Sequence, residues 1–196
     1  MGRPRGLEPP TPGTTNQCSN QLSYDRHGAF GSGSLARAGH LGLRLRERKQ
    51  GKGEMNPTIE KFGYPATLIH ELQHWLVLLR PAQVTLGSLI LGAKSDAKAY
   101  SELSTDAFTE QAAAIRMIER GLTAFTRYER INYLMLMMVD PNVHFHIIPR
   151  YCETRHWNGI EFADAGWPGP PQLAESVMLS AEQIAALVAE LLETFR

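Results

Sequence analysis

Past residue 64 the chain acquires a regular succession of apolar and polar positions that its first fifty residues lack. Thr67 to Leu72 and His74 to Arg80 read as two strands, a turn falls around Pro81-Ala82-Gln83, and Leu86 to Ala93 reads as a third strand. All three are rich in β-branched or large apolar residues. Ser104-Thr105-Asp106 supplies N-cap candidates, after which Phe108, Ala112, Ile115, Ile118, Leu122 and Phe125 recur at spacings of three and four. That pattern predicts an amphipathic helix of about six turns, buried along one side. Ile131 to Val139 follows as a strongly apolar strand, Asp140-Pro141 as a turn, and Val143 to Ile148 as a last strand that Pro149 helps to stop. The order of strands, helix, strands predicts an α+β fold: an antiparallel sheet with one long helix packed on it. Beyond the breaker Gly166-Trp167-Pro168-Gly169-Pro170-Pro171, Ser180 and Gln183 form a capping box. Ile184, Leu187, Val188, Leu191, Leu192 and Phe195 then line one face of a terminal helix, expected to dock on the domain or on a second subunit.

Three segments emerge. Residues 1–54 hold ten of the seventeen glycines and show no apolar period, and they read as a disordered basic extension. A second reading makes this stretch a mis-assigned start, with Met55 the true first residue: Gly6-Leu7-Glu8-Pro9-Pro10 can be encoded by the T-arm sequence of a transfer-RNA gene. Residues 55–171 form the domain and 172–196 a C-terminal helical extension. The formal charge of zero changes the picture once it is divided, because residues 1–54 carry nine Lys/Arg against four Asp/Glu and the remainder eleven against sixteen. A net-negative body argues against a general nucleic-acid surface, which needs Lys and Arg to neutralise phosphates. No apolar run reaches the roughly 18 residues of a membrane span. The absence of a secretory leader pattern and the presence of only two cysteines fit a reducing, cytoplasmic setting.

Chemistry concentrates in Asn142-Val143-His144-Phe145-His146-Ile147-Ile148-Pro149-Arg150. Alternate side chains of a strand share a face, so Asn142, His144 and His146 point together while Val143, Phe145 and Ile147 point into the core. Two imidazoles then stand roughly 7 Å apart at their backbones, a gap that side chains can close around a phosphate. A neutral imidazole nitrogen is a nucleophile near pH 7, and a second histidine can donate a proton. The same pattern is compatible with an ordinary half-exposed strand. A zinc site would need further ligands, and Asp140, Glu153 and His156 stand at no familiar spacing; a cupin would carry Glu where Arg150 and Tyr151 stand. Met135, Met137 and Met138 read as core or dimer packing, Cys152 as an inert thiol, and Trp157 and Trp167 as residues that either stack on a base or pack on the core.

Val143 to Arg150, preceded by an apolar strand, a long helix and Gly87-Ser88-Leu89-Ile90-Leu91, resembles the histidine-triad family over about 90 residues. The resemblance implies an α+β homodimer that hydrolyses or transfers nucleoside monophosphate groups of a nucleotide ester, anhydride or phosphoramidate, diadenosine polyphosphates among them. It assigns His144 as the nucleophile of a nucleotidyl-histidine intermediate and His146 as its assistant. Asn142, Ser88, Arg80 and Arg150 become candidate substrate contacts, and no metal or cofactor is implied. Four departures stand out. Asn142 replaces the first histidine, Ser88 replaces the histidine of a Gly-His pair, Arg80 stands where many members place a ribose-binding Asp or Asn, and Val139-Asp140-Pro141-Asn142 shortens the phosphate loop. The alternative is a non-catalytic module of the same fold that binds a nucleotide or phosphate.

Overall fold

The computed structural model describes residues 55–196, and the readings of residues 1–54 fall outside it. A five-residue helix, α1 (Pro57–Lys61), opens the described chain, with the Asn56 side chain accepting from the Ile59 amide as N-cap and Pro57 at the first helical position. Strands β1 (Leu68–Glu71), β2 (Trp75–Leu79), the two-residue β3 (Ala82–Gln83) and β4 (Leu89–Ala93) follow. After them come the long helix α2 (Thr105–Thr126), β5 (Arg130–Leu134), β6 (His144–Arg150), β7 (Arg155–Trp157), β8 (Ile160–Phe162), β9 (Val177–Met178) and the helix α3 (Ala181–Thr194). The main sheet is antiparallel in the order β1-β2-β4-β6-β5; β3 pairs with β9, and β7 with β8. The expected antiparallel α+β fold, long helix and C-terminal helix are all present.

Both faces of the central strands are buried, which explains their nearly unbroken apolar sequences. Trp75, Val77, Leu79, Leu89, Leu91, Val143 and Ile147 face the main core, where α2 contributes Ala114, Ile118 and Leu122, and α3 contributes Leu187, Leu191 and Phe195. The terminal helix thus docks on its own chain, and Gly121 permits this: a Cβ there would sit 2.5 Å from the Phe195 ring. On the opposite face Leu76, Leu78 and Ile90 pack with Ile59 of α1.

Several expectations need correction. The buried side of α2 runs through Ala107, Gln111, Ala114, Ile118, Leu122 and Thr126, so Phe108 and Ala112 lie outside it. Large residues at the edge of the helix had masked the small ones that meet the sheet. β5 stops at Leu134 rather than Val139, because its pairing with β6 ends at Leu134 opposite His146 and the following residues have no neighbouring strand. Met138 there is 92% exposed, and Met135, Leu136 and Val139 are exposed with it, so these residues are not core. Pro149 does not stop β6; it lies within the strand opposite Ile131. The β7–β8 hairpin went unread although its turn carries the strongest short hairpin signal, Asn158-Gly159, with positive φ at both residues.

Candidate active site

β6 places its even-numbered residues on one face, as the alternation requires. His144 lies opposite Gly92, and His146 lies opposite Ile90 and Leu134. This face is not open to solvent. α1 crosses it: Ile59 fills the space that a Cβ at Gly92 would occupy, and Phe62 packs on both imidazoles, with ring centroids 5.4 Å from His144 and 5.6 Å from His146. His144 is 0% exposed and His146 7%.

Elementary bonding rules fix the tautomers of the neutral pair. The His144 Nδ1 lies 2.8 Å from the Asn142 carbonyl oxygen, which can only accept, so Nδ1 carries the proton and Nε2 keeps its lone pair. The two Nε2 atoms are 3.3 Å apart. Their hydrogen bond therefore has His146 donating to His144, which leaves the His146 Nδ1 as a buried acceptor without a partner. Burial, reinforced by His144 and Arg80 and opposed by Asp140, pushes the His146 pKa down to about 4.

That shift predicts a pH dependence of stability. Between pH 6.5 and about 4 the unfolded chain binds a proton at His146 that the folded chain does not. The contribution is fully present above pH 6.5 and is lost as pH falls through this window, the accumulated loss reaching about 3 kcal/mol at its lower end. The urea midpoint of wild type should fall more steeply from pH 6.5 to 4 than that of His146→Gln; parallel profiles would exclude the effect.

The remaining sequence candidates separate. The Asn142 backbone carbonyl, not its side chain, holds His144. The Asn142 Oδ1 accepts from the Thr58 hydroxyl at 3.0 Å and its Nδ2 donates to the Asp96 carbonyl at 3.2 Å, so the amide faces α1 and the loop after β4. Ser88 and Arg80 belong to the turn between β2 and β4. Ser88 is bonded to Thr85 through its hydroxyl and to the Gln83 Oε1 through its amide. Arg80 donates through Nη1 to the Ala82 carbonyl, and its Nε is buried without a partner. Arg150 is held by protein groups alone: Nε and Nη2 grip both Asp164 oxygens at 2.6 and 3.0 Å, Nη1 donates to the Asn132 Oδ1, and Nη2 also donates to the Gly169 carbonyl. Trp157 donates to Glu190 on α3 rather than standing free.

Thr58 and Phe62 were missed as site residues. Their only signal was the Asn56-Pro57 helix start, which a one-turn helix gives without any periodicity. Among the described residues no helix is long and apolar enough to cross a membrane.

No protein-family model matches the sequence, and no curated protein matches it either. Solved structures do. A histidine-triad protein from Sinorhizobium meliloti 1021 is similar with a TM-score of 0.56 at 22% identity, covering 72% of this chain and 96% of its own. One from Bradyrhizobium japonicum gives 0.54 at 21%, covering 66% and 90%, and one from Marinobacter aquaeolei VT8 gives 0.53 at 22%, again covering 66% and 90%. At such identities the likeness speaks for architecture and not for chemistry. Residues 55–196 therefore have the histidine-triad fold.

Proposed function

We propose that this protein is a nucleotide phosphohydrolase or nucleotidyl transferase that works through His144. The observation that carries the reading is the bond from His144 Nδ1–H to the Asn142 carbonyl, which leaves an unprotonated Nε2 beside the Nε2–H of His146. In the proposed reaction Nε2 of His144 attacks the α-phosphorus of a nucleotide ester, anhydride or phosphoramidate, forming a P–N bond as the bond to the leaving group breaks. His146 releases its hydrogen bond to His144 and its Nε2–H donates instead to the leaving atom, which departs with the bonding electron pair and takes its proton from water. Water then cleaves the P–N bond, or a second acceptor does so in a transferase. Diadenosine polyphosphates remain one candidate substrate.

The second reading, a non-catalytic binding module, draws on the full burial of His144 beneath α1 and the commitment of the Asn142 amide to Thr58 and Asp96. One experiment separates the two. The purified protein is mixed with a panel of mononucleotide esters, phosphoramidates and dinucleoside polyphosphates, quenched in alkali to preserve a phosphoramidate bond, and digested for mass spectrometry. A nucleotidyl adduct on the peptide carrying His144 is expected. Bound but intact nucleotide with no adduct would favour the module.

A homodimer is proposed as well. The exposed apolar run Met135, Leu136, Met138 and Val139 continues from β5, an edge strand of the sheet, and offers the kind of patch that association covers. Light scattering at micromolar concentration should give twice the mass of one chain; a single-chain mass would remove this part of the proposal.

A further inference from the structure

The hydroxyl of Thr58 occupies an unusual place. It donates to the Asn142 Oδ1 at 3.0 Å and accepts from the Asn142 backbone N–H at 3.3 Å, gripping one residue at its side chain and its peptide. Thr58 and Asn142 are both buried, so neither bond competes with water. The Asn142 carbonyl in turn accepts a hydrogen bond from His144 Nδ1–H. A continuous path of three hydrogen-bonded residues thus runs from α1 to the imidazole.

We propose that Thr58 is a positioning residue of this site: its hydroxyl sets the Asn142 peptide, and that peptide fixes the tautomer and direction of His144. Thr58 does not touch the reacting nitrogen and acts only through Asn142. Without the hydroxyl, the Asn142 Oδ1 and N–H both lose a buried partner. The residue must then turn to recover one, and its carbonyl turns with it. His144 would lose the acceptor that makes Nδ1–H its preferred form. Part of the population would then carry the proton on Nε2, where the lone pair is needed.

The inference rests on His144 being the nucleophile, yet its principal readout does not require turnover. Long-range proton–nitrogen NMR correlations report which imidazole nitrogen is protonated. At pH 7.5 wild type should show His144 protonated at Nδ1 alone. Thr58→Val keeps the shape without the hydroxyl and should show a mixture of tautomers with at least about a tenth of Nε2–H. Thr58→Ser restores the hydroxyl and should restore the wild-type spectrum. Adduct formation from a reactive nucleotide should fall about tenfold or more in the valine variant, and the serine variant should recover most of it.

A merely structural Thr58 would lower the melting temperature of the valine variant and leave its His144 tautomer unchanged, which would overturn the proposal. Two outcomes stand even if Thr58→Val does not fold. A wild-type His144 protonated at Nε2 refutes the inference, and so does a serine variant whose tautomer differs from wild type. If the NMR results hold while no nucleotide gives an adduct in any variant, the positioning survives and the catalytic reading fails.

Discussion

Replacing His144 with alanine is expected to lower turnover by more than about 10⁴-fold, equivalent to about 5.4 kcal/mol of barrier, while His146→Ala loses only about 10²- to 10³-fold. The inequality follows from what each nitrogen is placed to do. Nε2 of His144 would form the bond to phosphorus, whereas the Nε2 of His146 carries the proton of the bond between them. His146 supplies a hydrogen bond to developing charge, and water can deliver that less efficiently. Both variants remove a buried ring packed on Phe62, so each must first be shown to fold, by near-ultraviolet dichroism and melting. Rates are then compared on whichever nucleotide wild type turns over. Equal losses would mean that the two histidines act as a single acid–base unit. A His144→Ala enzyme as fast as wild type would place the nucleophile elsewhere.

Arg150→Met should cost about 3 to 5 kcal/mol of stability. The family resemblance makes this arginine a candidate substrate contact; in the fold its side chain is 4% exposed and grips an Asp164 carboxylate that is 1% exposed. Removing one partner leaves the other as an uncompensated buried charge, which is the expensive outcome for an ion pair. The Asn132 amide and the Gly169 carbonyl would lose their donor at the same time. For a domain of this size the melting temperature should drop by about 8 to 15 °C. Asp164→Asn in the Arg150→Met background should recover part of that loss, because it removes the stranded charge. If Arg150→Met melts like wild type and weakens nucleotide binding instead, the arginine is a substrate contact rather than a structural one.

The histories of these two residues show what a strand pattern conveys. Period-two alternation from Asn142 to His146 placed the histidines on one face correctly, since it depends only on strand geometry. Serine caps at Ser104 and Ser180 located both long helices for a similar reason: each cap bonds an amide three residues away. Long-range partners left no comparable trace. Thr58 meets Asn142 across 84 positions, and Asp164 meets Arg150 around the β7–β8 hairpin. Nothing in the histidine strand indicated that its polar face would be roofed, because the roof is a single helical turn too short to show a period. Val139 shows the opposite failure: its strong apolar character read as a strand, although strand formation also requires a neighbour to pair with.

The roof of α1 also governs access. His144 is wholly buried, so a solute could reach its Nε2 only in a form of the protein whose cover, Phe62 included, had opened. The dissociation constant measured for such a solute is its intrinsic value divided by the population of that form, and every 1.4 kcal/mol of opening free energy weakens apparent binding about tenfold. Changes that loosen Ile59 or the Lys61–Asp140 pair would then act in two directions at once, making the fold less stable and the ligand apparently tighter. Any affinity of this site for a ligand would in that sense be partly encoded in a helix five residues long, well before any atom of the ligand is considered.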